Sequence, residues 1–101
     1  MAPKPTVEQL CARYCNENAH SEHVTALALA IFDRVHRTLG IARTQRRVLE
    51  TAGRLHDIGY AASPRNHARA SADIVLCEGV RGLGPEERRT VVAIILLHQK
   101  D

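Results

Sequence analysis

Apolar positions recur along the chain at helical rather than strand spacing, and they divide it into five segments. Val7, Leu10, Cys11, Tyr14 and Cys15 mark one side of a first helix, which Thr6 opens. Val24, Leu27, Ala28, Ile31 and Val35 form the stripe of a second, running from about Ser21 to Leu39 and stopped by Gly40, which can take the left-handed cap conformation. At about 100° per residue His20 extends that stripe by one turn and is expected to point inward, whereas His36 falls on the opposite, solvated side. Thr44 is placed to cap a third helix, although Arg47 stands where a capping box needs Glu or Gln. Val48, Ala52, Leu55 and His56 share its buried face. Gly53 allows close approach of a neighbouring helix, and Gly59 lets the chain leave the helix at once. A fourth helix begins at Pro64 or Asn66, buries Ala70, Ile74, Val75 and Cys77, and ends at Gly79. The fifth opens on Pro85-Glu86-Glu87, with proline first and acids where the helix dipole favours them. Every residue from Val91 to Leu97 is apolar, which predicts a central helix covered on several sides. The pattern therefore predicts an all-α, five-helix bundle forming one domain over residues 1–101, with residues 1–5 frayed.

A chain of 101 residues can bury a single core but not a second lobe. Its net charge is +3, and twelve of the fourteen basic residues are arginine. Arginine forks suit phosphate oxygens, so the bias is compatible with a phosphorylated ligand, though it also arises from genome composition. No aromatic residues interleave the arginines as a stacking platform would require, and no recognition-helix signature is present, so nothing favours a nucleic-acid partner. No amino-terminal signal and no apolar run of membrane-spanning length is found. Three cysteines without a secretory signal point to a reducing cytoplasm. Cys11 and Cys15, four apart, invite a zinc site with His20 and His23, but helical cysteines on an apolar stripe are more often small buried hydrophobes.

Candidate chemistry concentrates in Arg54-Leu55-His56-Asp57-Ile58-Gly59-Tyr60. A neutral imidazole beside a carboxylate suits a hard or borderline divalent cation, because the carboxylate can bridge two metals while the nitrogen holds one. A His-Asp pair alone is a weak signal; it gains weight from His20-Ser21-Glu22-His23-Val24 upstream, Asn66-His67 downstream and Leu97-His98 near the end. In order and context these residues resemble the HD superfamily of metal-dependent phosphohydrolases. The segments HSEHVTALALAIFD, LHDIGYAASPRNHARASADIV and GLGPEERRTVVAIILLHQKD are closest to the C-terminal HD domain of the exopolyphosphatase and guanosine pentaphosphate phosphatase family. The resemblance implies a five-helix HD-like bundle in which His20, His56 and Asp57 hold a first divalent ion (Mn, Mg, Fe, Ni or Zn). Asp57 would bridge to a second ion held by His67 and His98. Arg65 and Arg69, which flank His67, are candidates for holding substrate phosphate beside a catalytic Asp57. The polyphosphate chemistry of that family resides in actin-like domains; the 101 residues include none, so that activity is not carried over.

Two departures stand out. HD proteins usually supply a further aspartate from a later helix; Asp101, three residues after His98, does not match it. The expectation is therefore either a fragment without a C-terminal part of the usual domain or a shortened HD protein with a weakened or single-metal site. Relatives of the cyclic-dinucleotide phosphodiesterase type place a second histidine where this chain has Gln99. Two functional expectations follow. One is a metal-dependent phosphohydrolase acting on a phosphate ester, nucleotide or phosphodiester through a metal-activated water, with a phosphorylated small molecule as partner. The other is a catalytically inactive HD scaffold used for ligand sensing or homodimerisation.

Overall fold

The computed structural model describes residues 3–14 and 19–98. They form five α-helices: α1 (Val7–Arg13), α2 (Ala19–Val35), α3 (Gln45–Leu55), α4 (His67–Glu78) and α5 (Pro85–His98). No strand occurs among the described residues, so the protein is all-α as its periodicity predicts. None of the helices is long and apolar enough to cross a membrane.

Local chemistry sets most of the helix ends. Thr6 caps α1 through a complete capping box: its hydroxyl accepts from Gln9 N at 3.0 Å, and the Gln9 side chain accepts from Thr6 N at 2.9 Å. Gly79 closes α4 with φ +70°, donating its N–H to Val75 O at 2.9 Å, and Gly40 (φ +69°) ends the turns that follow α2. Thr44 does not cap α3: it is itself in the αR region and its side chain makes no cap hydrogen bond.

The hub of the bundle is α3, which packs against α1, α2 and α5, while α4 packs on α5. Val48, Ala52 and Leu55 of α3 meet Leu10, Ile58, Val75, Val80, Val91 and Ile95 in one core. The fifth helix, expected to be central and covered on several sides, is covered by α3 and α4, and the more central position belongs to α3. In α5, Val91, Val92 and Ile95 are buried, whereas Leu96 and Leu97, near its carboxyl end, are exposed. Around α3 the arginines tie each neighbour down: Arg46 grips Asp33 of α2 with bonds of 2.8 and 3.0 Å, Arg47 reaches Glu87 of α5 at 2.7 Å, and Arg54 reaches Glu8 of α1 at 2.8 Å. Such exposed pairs each contribute on the order of 0–1 kcal/mol, so they orient the helices more than they hold them.

The largest departure lies in α2, whose buried residues are Ser21, Thr25 and Phe32, continued by His36 just past its end. The expected stripe is split: Val24, Ala28 and Val35 are half-buried beside that face, while Leu27 (52% exposed) and Ile31 (63%) turn to water. Packing space explains the rotation. A Cβ on Gly53 of α3 would sit 2.5 Å from Thr25 Oγ1, so the two backbones approach where both residues are small. His36 is consequently buried rather than solvated, stacked on Phe32 with ring centroids 5.0 Å apart and Nδ1 3.3 Å from Ile41 O. Cys77 is exposed rather than on the buried side of α4. Cys11 is buried, as a small hydrophobe would be, its thiol 3.7 Å from Arg54 O, while Cys15 lies outside the described residues.

Candidate metal centre

Four helix termini converge on one place. His56 is the C-cap of α3, His98 the last residue of α5, His67 the first of α4, and His20 the second of α2. Asp57 follows directly on His56 and is 17% exposed. Its two oxygens divide the histidines between them. Oδ2 lies 3.2 Å from His56 Nε2 and 3.9 Å from His20 Nε2; Oδ1 lies 3.3 Å from His67 Nε2 and 3.6 Å from His98 Nε2. The Nε2 atoms of His67 and His98 are themselves 3.2 Å apart. All five residues named from the sequence are thus brought together, although His20, with its side chain 68% exposed, forms the open rim rather than pointing inward.

The ring orientations have a common cause. In His56, His67 and His98 the Nδ1 atom lies against the carbonyl three residues earlier: Gly53 at 2.6 Å, Pro64 at 3.2 Å, and Ile95. A carbonyl only accepts, so Nδ1 is the donor in each ring, and the neutral form of each imidazole has its acceptor nitrogen, Nε2, facing Asp57. This is the arrangement by which a second partner fixes the tautomer and aim of a metal-ligating histidine. Left alone, the carboxylate and these three nitrogens would be acceptors facing acceptors at hydrogen-bond range, which is repulsive. A proton or a cation between them removes the repulsion.

Geometry fits a cation. Ligands about 2.1 Å from one ion at tetrahedral or octahedral angles are roughly 3.0–3.5 Å from each other, close to the separations found around Asp57. Two groups have this character, His20–His56–Asp57 and Asp57–His67–His98, with ligand atoms within 4.8 Å of one another in each. Mixed nitrogen and oxygen donors exclude no first-row divalent metal. The helix ends add a division of labour. Negative C-terminal ends of α3 and α5 favour a cation there, while the N-terminal starts of α2 and α4 favour an anion such as phosphate.

The arginines are less closely tied to the cluster. Arg69 is exposed and pairs with Asp73 one turn along α4, Nε to Oδ1 at 3.6 Å, and Arg65 is exposed in the loop before α4. One residue of the site was not singled out from the sequence. Tyr60 places its ring centroid 5.6 Å from that of His67. Its signal was an aromatic residue within a turn of the His-Asp pair, in a chain with only three aromatic residues.

Comparison with known proteins agrees with this architecture. No curated protein matches the chain. The sequence profile of Ppx/GppA phosphatase, domain III, matches residues 4–101, nearly the whole length. With that coverage, the chain belongs to the Ppx/GppA phosphatase family, in which it corresponds to domain III.

Proposed function

We propose that the His/Asp cluster holds one or two divalent cations and that the domain is a metal-dependent phosphohydrolase acting on a phosphate ester, nucleotide or phosphodiester. The observation that carries this reading is the convergence of three Nδ1-anchored imidazoles on one shared carboxylate. His20, His56 and Asp57 Oδ2 would hold the first ion; Asp57 Oδ1, His67 and His98 the second. A bound divalent ion supplies Lewis acidity, making water available as hydroxide near neutral pH and offsetting phosphate charge. The chain's part is positional. Gly53 O, Pro64 O and Ile95 O keep three ring protons away from the reacting side, so the rings cannot quench the nucleophile by donating to it. His20, exposed at the rim, leaves the entrance on the α2 side. Arg65 and Arg69, at the start of α4, would meet phosphate oxygens, for which Arg69 must leave Asp73.

The test is an assay of the purified domain with Mn²⁺ against model phosphoesters, beside Asp57→Ala. Activity in the wild type and none in the variant is expected; equal activity in both would remove the reading.

A second reading, a non-catalytic scaffold that dimerises, is supported by Leu27 and Ile31, which share one exposed face of α2. Sedimentation equilibrium of wild type and Ile31→Glu separates it: a dimer that the charge dissociates, with no metal-dependent turnover, is its signature.

A further inference from the structure

The chain has three aromatic residues besides its histidines, and two of them are tied into the fold by burial or by a hydroxyl hydrogen bond. Phe32 is buried against His36, and the Tyr14 hydroxyl donates to Glu78. Tyr60 differs. It is 55% exposed, and its hydroxyl makes no hydrogen bond among the described residues. Its backbone N–H donates to Asp57 O at 3.0 Å, which fixes it one tight turn beyond the shared carboxylate.

The rings around the cluster form a continuous row. Centroids step 5.9 Å from His20 to His56, 4.8 Å to His98, 5.2 Å to His67 and 5.6 Å to Tyr60. The first four rings each bring a nitrogen to Asp57. Tyr60, the fifth, extends the row past the metal-ligand atoms on the His67 side, where it stays half-exposed. A half-exposed aromatic ring forgoes burial that the fold would otherwise use, and it supplies a flat surface for stacking a planar ligand.

We propose that Tyr60 is a specificity-determining residue: its ring stacks on a planar group in the organic part of the substrate, selecting a nucleoside phosphate over a phosphate ester without a ring base. This rests on reading the cluster as the site that engages the phosphate. The phosphoryl group sits at Asp57 and His67, and the substituent leaves the site across Tyr60. The phenol hydroxyl is not needed for this; the ring is.

The test is calorimetry of AMP and ribose 5-phosphate binding to wild type, Tyr60→Ala and Tyr60→Phe. Each is measured with EDTA and with Mn²⁺, and ligand integrity is checked afterwards. Wild type is expected to bind AMP about tenfold more tightly than ribose 5-phosphate, as stacking of one base supplies. Tyr60→Ala erases that difference without changing ribose 5-phosphate affinity, and Tyr60→Phe keeps it. Equal affinity for the two ligands in wild type, binding of neither, or an alanine variant that weakens both alike overturns the proposal; the last result would mean that Tyr60 only buttresses His67. Failure of the metal reading shows separately. A preference for AMP that survives without any response to Mn²⁺ sinks the metal centre and leaves the stacking role standing; a metal response without that preference does the reverse.

Discussion

Asp57 Oδ1 and His67 Nε2 stand 3.3 Å apart although a ten-residue step separates them in sequence, and the same carboxylate turns its other oxygen to His56 at 3.2 Å. One carboxylate therefore serves both halves of the cluster. Removing it should cost more than removing any single ring. At a metal concentration a hundredfold above Kd, binding stabilises a fold by about 2.7 kcal/mol, roughly 10 °C or more in Tm for a domain of this size. Asp57→Ala is expected to lose that Mn²⁺-dependent shift entirely. His67→Ala should halve the metal content measured by elemental analysis and keep part of the shift. A full shift in Asp57→Ala would show that the metal binds elsewhere.

Gly59 controls whether His67 reaches this position. A Cβ there would sit 2.5 Å from both Ala70 Cβ and Ser71 N, and Gly59 N donates to Ser71 Oγ at 2.8 Å. Its φ is not positive, so the residue serves close approach of α4 rather than an unusual turn. Gly59→Ala must push α4 away, costing roughly 1–3 kcal/mol as overpacking does. It should also weaken the Asp57–His67–His98 half before the His20 half. Urea denaturation and metal stoichiometry read the two effects; an unchanged midpoint would show that α4 yields without strain.

The cluster was legible in the sequence because its members mark helix ends. Gly59, Asn66, Pro85 and the close of the Val91–Leu97 run put His56, His67 and His98 at termini before any tertiary contact is known. The resemblance of the three segments then supplied the pairing of distant stretches, which spacing alone does not give. What stayed hidden was the rotation of α2. Leu27 and Ile31 of its aliphatic stripe face water while Val24, Ala28 and Val35 are only half-buried. The burial of Thr25 on the core side goes with Gly53 in another helix, against which it packs. Helical periodicity sees one helix at a time, so it selects the greasiest face rather than the one that fits. His36 and His20 were misplaced by the same step.

Two contacts of α1 should contribute to the acid and alkaline limbs of stability, the acid limb being shared with Asp33, lowered by Arg46, and Glu87, lowered by the Gly84 N–H and Arg47. The Arg54 guanidinium, hydrogen-bonded to Glu8, holds that carboxyl below its ordinary value of 4.5. Its contribution is therefore complete above pH 4.5 and is lost as pH falls through the lower folded value. The Tyr14 phenol, donating to Glu78, is raised above 10.0, so its contribution is complete below pH 10 and is lost as pH rises through the higher folded value. Glu8→Gln should make the first limb shallower without abolishing it, leaving the second unchanged, and Tyr14→Phe should reduce the second only, measured by thermal denaturation across pH. Because Glu8 is largely exposed, added salt should shrink its effect. A Glu8→Gln profile that parallels wild type below pH 4.5 would count against the pair.

The register of α2 gives the sharpest contrast in stability, since two adjacent residues on it make opposite demands. Ile31 is 63% exposed and Phe32 only 6%. If the aliphatic stripe were the core face, Ile31→Ser would open a cavity and Phe32→Ala would be mild. With Phe32 buried and stacked on His36, the order reverses. Phe32→Ala should cost about 3–5 kcal/mol through lost burial and the void it leaves. Ile31→Ser, changing a residue that mostly meets water, should stay within about 0.5 kcal/mol. Equilibrium urea unfolding of both variants decides it: the denaturant midpoint of Phe32→Ala must fall well below wild type while that of Ile31→Ser stays near it. A large loss in Ile31→Ser would place the aliphatic stripe against protein, either inside the fold or across a dimer. Repeating the measurement over a range of protein concentration separates those two, because only a dimer's midpoint moves with concentration.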